Sequence, residues 1–189
     1  MCGICGQLRF DKKPVQSGVL STMMSKIARR GPDASGQWAD GSIGFGHQRL
    51  SIIDLSNYAS QPMKDEVLDL VLVFNGTIYN YQSLRQDLIK QGYTFFSHSD
   101  TEVIIKAYHF WGEDCVTHLD GMFAFCIWNQ KTNQLFVARD RMGIKPLYFS
   151  LTDQAFSFAS NTQALVSIGV DSSINSVALQ QQLSLHGVV

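Results

Sequence analysis

The sequence has almost no net charge. Fifteen lysines and arginines stand against sixteen aspartates and glutamates in 189 residues, a formal balance of -1. That balance offers no cationic face to nucleic acid or to an anionic membrane surface, so neither is an expected partner. Long apolar runs are missing too. The longest near-continuous one, Leu68 to Phe74, contains Asp69 and is of strand length, well short of the roughly 20 residues a membrane-spanning helix needs. There is no basic start followed by an apolar stretch, hence no expected secretory leader. Cysteine is scarce for a disulfide framework, with only Cys2, Cys5, Cys115 and Cys126, and the expected setting is a reducing cytoplasm. No G-x-S-x-G surrounds a serine, and no G-x-x-x-x-G-K-[ST] loop is present to cradle phosphate. The histidines share no metal-ligand spacing, and no metal is expected.

What is there is globular. The residues are 45% hydrophobic and 16% charged, and the length suits one domain that buries roughly 70% of its unfolded surface. Two periods alternate along the chain. Cys2 to Phe10 reads as a strand. Val19, Leu20, Met23, Met24, Ile27 and Ala28 recur at helical spacing until Gly31-Pro32 stops them. Ile43 to Ile53 is strand-like. Leu68 to Phe74 predicts a strand ending in an Asn75-Gly76 turn. Asn80 predicts a helix cap, with Leu84, Leu88 and Ile89 facing inward to about Gly92. Ser99 or Asp100 caps the next helix, whose buried stripe is Val103, Ile104, Ala107, Tyr108 and Trp111. Met122 to Trp128 pairs with Leu135 to Ala138 as a hairpin, and Leu147 to Phe149 with Ala155 to Ala159. A short helix after Ser160 and another from about Asn175 to Leu185 follow. Without a sustained βαβ repeat, the pattern predicts antiparallel sheets with packed helices, an α+β fold. The apolar ending Gly187-Val-Val189 is read as the edge of a longer natural chain.

Several residues bear chemistry. Cys2 becomes the first residue if Met1 is trimmed, and it then carries a thiol and a free α-amine together. Such an amine can act as base for its own residue's nucleophile. The plainer reading is a small apolar residue at a strand start. Cys2 and Cys5 also form a C-x2-C pair, but Cys115 and Cys126 lack the spacing to complete a zinc site. Arg49 lies in an apolar strand and needs a partner, either a ligand carboxylate or a structural acid such as Asp140. Asn75 and Gly76 could point an amide and a backbone N–H at an oxyanion, or simply turn the chain. Asp100 is most economically a helix-start acid. Arg139-Asp-Arg141 and Gly143-Ile-Lys-Pro146 predict a salt-bridge network around a turn. His47 is read as a core residue bonded to backbone.

Together these stretches resemble a known family. MCGICG at the start, RRGPD from Arg29, GHQRLSIIDLS from Gly46, QPM from Gln61 and FNGTIYNYQSLR from Phe74 occur in its order. SDTEV from Ser99, GMFAFCIWN from Gly121, ARDRMGIKPLYF from Ala138 and FAS from Phe158 continue it. The chain closely resembles the N-terminal glutaminase domain of glutamine-hydrolysing asparagine synthetases, a class II amidotransferase domain of the N-terminal-nucleophile hydrolases. The resemblance implies a four-layer αββα sandwich spanning residues 1–189. It implies Cys2 as nucleophile toward the side-chain amide of L-glutamine, with Asn75 and Gly76 as oxyanion hole. Arg49 then grips the substrate's α-carboxylate, Asp100 its α-ammonium, and backbone around Leu50 and Ile52 frames it.

The resemblance is not complete. Family members carry Glu where Thr77 stands, and the Glu helps hold the α-ammonium, so Thr77 predicts weaker glutamine binding or another amide. Gln48 replaces an arginine beside Arg49, a minor change. The resemblance also implies that ammonia passes to an ATP-dependent synthetase domain beyond Val189. ATP and magnesium are expected only there, with no cofactor in this domain. The alternative is a catalytically weak or inactive regulatory domain that binds an amino acid on the same fold.

Overall fold

The computed structural model describes residues 1–185. Strands β1 (Gly3–Arg9), β2 (Ala34–Asp40) and β3 (Ile43–Arg49) join β8 (Tyr148–Leu151) and β9 (Ala155–Ala159) in a sheet ordered β2-β3-β1-β9-β8. The second sheet, ordered β4-β5-β6-β7, is made of β4 (Met63–Asp65), β5 (Leu70–Ile78), β6 (Gly121–Asn129) and β7 (Gln134–Arg139). Every pairing is antiparallel. The helices are α1 (Ser17–Ile27), α2 (Tyr81–Lys90), α3 (Asp100–Trp111), α4 (Cys115–His118), α5 (Thr162–Val166) and α6 (Ser176–Leu185).

Side-chain alternation builds the layers. In β5, Val71 and Val73 face Ile4, Phe45 and Phe158 of the other sheet. Leu70, Leu72 and Phe74 point the opposite way, onto Leu84 and Leu88 of α2 and Val103 and Ile104 of α3. A strand buried on both faces has no polar side to show, which is why Leu68 to Phe74 reads as a run rather than an alternation. Across the five-stranded sheet, Cys5 and Ala159 pack on Met23, Met24 and Ile27 of α1 and on Ala164 and Leu165 of α5. The order is helix, sheet, sheet, helix, the sandwich the resemblance implies.

Several local expectations are corrected. Asn75-Gly76 is not a turn: β5 runs on to Ile78, with Asn75 opposite Ala124 and Gly76 opposite Phe123. The long partner strand β6 overrides the local turn preference. The β3 strand ends at Arg49 and not Ile53. Ile89 is exposed, outside the stripe of Leu84 and Leu88. Asn80 sits at the cap position of α2, but its amide is spent on His118 O and Asp120 N, tying the helix start to the turn before β6. Ser99 caps α3 by accepting from Glu102 N. The segment after β7 is held by charge-to-backbone bonds and not by ion pairs. Asp140 accepts from the N–H of Phe123, Ile144 and Lys145, and Arg139 donates to the carbonyls of Gly143 and Lys145. The sequence pattern did not reveal β2 and β4. The first is polar and largely exposed, the second three residues long; both owe their form to their neighbours β3 and β5.

Candidate active site

Cys2 lies one residue before β1, the middle strand of its sheet. Ile4 faces the layer between the sheets and Cys5 faces α1, so strand alternation puts Cys2 on the inter-sheet side. Its Sγ accepts from Leu50 N at 3.4 Å and donates to Leu50 O at 3.5 Å. Its carbonyl accepts from Arg30 Nε at 3.0 Å. Burial pushes the thiol up, while the Leu50 backbone bond, the chain's N-terminal charge and the Arg49 guanidinium pull it back. Met1 is half exposed, and its Sδ accepts from Lys145 Nζ at 3.3 Å.

The open end of β5 lines the same cavity as Cys2. Phe74 N donates to Gln61 Oε1 at 2.6 Å and Ile78 N to Asp100 Oδ2 at 3.0 Å. Gly76 lies midway, so by the alternation of an antiparallel ladder its N–H points to the same edge. Asn75, 1% exposed, has neither its amide nitrogen nor its oxygen paired. Buried polar atoms in folded proteins are rarely left so, and a site that awaits a ligand is one reason for an exception.

Asp100 opens α3 with 4% exposure, and burial pushes its carboxyl up to about 6. Arg49, at the end of β3, donates to the carbonyls of Asp54 and Ser56. Its partner is thus the following loop, and not Asp140, whose carboxylate is occupied elsewhere. Cys2, Arg49, Leu50, Ile52, Asn75, Gly76, Thr77 and Asp100 all line one cavity of about 170 Å³. The sequence-derived residues therefore converge at one place. Gln61, Ser99, Thr101, Met122 and Lys145 line it too. Sequence reasoning did not single them out as site residues, because they lie in caps, loops and strand ends where no period marks them.

The comparisons with known proteins bear on this geometry. Residues 1–189 match the glutamine amidotransferase domain. The chain belongs to that family. It is 42% identical over its full length to asparagine synthetase [glutamine-hydrolyzing] 1 of Bacillus subtilis, covering 30% of that protein. To amidase chry2 of Gibberella zeae it is 36% identical over 90% of the chain and 27% of the relative. The chain thus spans less than a third of these relatives. Among solved structures, glutamine phosphoribosylpyrophosphate amidotransferase from B. subtilis matches with a TM-score of 0.74 and 23% identity, covering 89% of this chain and 44% of that one. That likeness shows the shared fold.

His47 and the other three cysteines of this glutamine amidotransferase domain fall outside the cavity chemistry. His47 is fully buried, and its Nε2 donates to Phe74 O at 3.2 Å, a core role. All four cysteines are free. Cys5 points to the opposite face of β1 from Cys2, so the C-x2-C pair does not converge. Among the described residues no cluster of His, Cys, Asp or Glu is arranged to hold a metal ion, and no helix is long and apolar enough to cross a membrane.

Proposed function

We propose that this domain hydrolyses the side-chain amide of L-glutamine to glutamate and ammonia through a Cys2 thioester. The observation that carries the reading is the unpaired, buried Asn75 carboxamide in one cavity with the Cys2 sulfur. Once Met1 is removed, the Cys2 α-amine takes the thiol proton and the sulfur attacks the amide carbon. The developing oxyanion accepts from Gly76 N–H and the Asn75 amide, donors worth about 3–4 kcal/mol each in comparable sites. Collapse breaks the carbon–nitrogen bond, and the amine's proton goes to the leaving ammonia. Water, deprotonated by the same amine, then attacks the thioester and restores the thiol. Arg49 reads the α-carboxylate with its planar fork, Asp100 holds the α-ammonium, and Leu50 and Ile52 frame the chain.

In this reading residues 1–189 form the glutaminase domain of a longer cytoplasmic chain. The ammonia passes to an ATP-dependent, asparagine synthetase-like domain, where ATP and magnesium belong. The test is glutamate release from glutamine by chain shown by mass spectrometry to lack Met1. Wild type should turn over and Cys2→Ala should not; equal, negligible release from both rejects hydrolysis. A second reading, a regulatory domain that binds an amino acid, draws on the Met1–Lys145 contact and on Thr77. Retention of Met1 on the purified protein favours it.

A further inference from the structure

We propose that Gln61 is a positioning residue for this reaction. Its carboxamide joins the strand that carries Asn75 and Gly76 to the helix that opens with Asp100. The inference rests on the hydrolytic reading above and names a residue that reading does not use.

Gln61 is 9% exposed and lies just before β4. Met63 is the first β4 residue to pair with β5, opposite Leu72. At Phe74 the main-chain ladder has stopped, and the Gln61 side chain takes its place by accepting from Phe74 N at 2.6 Å. Because that donor is a backbone N–H, the amide orientation is fixed: oxygen to Phe74, nitrogen outward. The nitrogen donates to Thr101 Oγ1 at 3.4 Å. One side chain therefore holds the residue before Asn75 and the residue after Asp100. The Phe74 carbonyl, on the same strand edge as its N–H, is held as well, accepting from His47 Nε2.

The consequence is a fixed span. Glutamine held by its α-ammonium at Asp100 must present its amide at Asn75 and Gly76, and slack between those points misplaces the reacting carbon. On the β5 edge, Gln61 and Asp100 occupy the donors at Phe74 and Ile78 and leave the one between them, Gly76, to the substrate. Merely closing an open strand end would matter for folding but would not separate binding from turnover.

Gln61→Leu keeps the bulk and removes both bonds. The expected result is a kcat lower by about tenfold or more, a raised KM, and faster amide exchange at Phe74. Gln61→Glu keeps an acceptor for Phe74 and can accept the Thr101 hydroxyl proton, so kcat should return to within about threefold of wild type. Wild-type kcat and KM in Gln61→Leu overturn the proposal, as does a loss that Gln61→Glu fails to recover. If Gln61→Leu does not fold, Thr101→Val breaks the helix half alone: KM should rise with kcat kept, and an unchanged KM overturns the link. A wild-type chain without Met1 that releases no glutamate rejects the hydrolytic reading instead. Phe74 exchange then decides the clamp alone, with unchanged protection in Gln61→Leu overturning it.

Discussion

Asp100 carries a charge that its surroundings oppose. Burial raises its carboxyl from the ordinary 3.8 to about 6, so the folded chain holds the proton more tightly than the unfolded one. The stabilisation from the neutral form is complete below about pH 3.8 and is lost as pH rises through about 6. At neutral pH the ionised carboxylate is thus a local burden that a bound ammonium would relieve. Asp100→Asn should be the more stable protein at pH 7, by up to about 3 kcal/mol, with the gap closing toward pH 4 in denaturant titrations. Glutamine KM in the wild type should rise as pH falls through about 6, and a flat KM would detach Asp100 from the α-ammonium. At this scale the sequence was informative through its motifs: Cys2, Arg49, Asn75, Gly76 and Asp100 were each ambiguous alone and met in one cavity. Gln61 stayed silent, since its meaning lies in two bonds to residues 13 and 40 positions away.

Elements were legible where a period was long and misread where a pair of residues spoke for itself. Asn-Gly signals a hairpin turn only if the chain must reverse there. In β5 the ladder to β6 runs from Leu70 to Ile78 without a break, and Gly76 is needed for room, not for a bend. A Cβ there would stand 2.3 Å from Met122 O, 2.6 Å from Phe74 Cε2 and 2.8 Å from Phe123 Cα. Two of those atoms are backbone and cannot swing aside. Gly76→Ala should therefore destabilise the chain by about 1–3 kcal/mol, read from the urea midpoint, beyond any loss of turnover. A midpoint equal to wild type would mean that the ladder has slack at this position.

At the level of the whole molecule, the hydrophobic pattern foretold antiparallel sheets with packed helices, while the four layers came only from the family resemblance. What could not be foreseen is how the two sheets are tied. His47 on β3 reaches across the layer to Phe74 O on β5, just above Asn75. Burial drives its imidazole down to about 4 from the ordinary 6.5, so it is neutral in the fold and charges more readily when unfolded. Its contribution is present above about pH 6.5 and is lost as pH falls through about 4. That is opposite in sense to Asp100, so the two partly mask each other in the wild type. On an Asp100→Asn background that opposing slope is gone, and comparing two proteins that differ only at His47 cancels the slopes of other shifted groups such as His109 and Asp54. His47→Gln keeps a donor for Phe74 O but has no proton to gain. Between pH 7 and pH 4 its unfolding free energy should improve relative to the His47 parent by up to about 3 kcal/mol. Parallel pH profiles for the two proteins would show that the bond between the sheets does not sense acid.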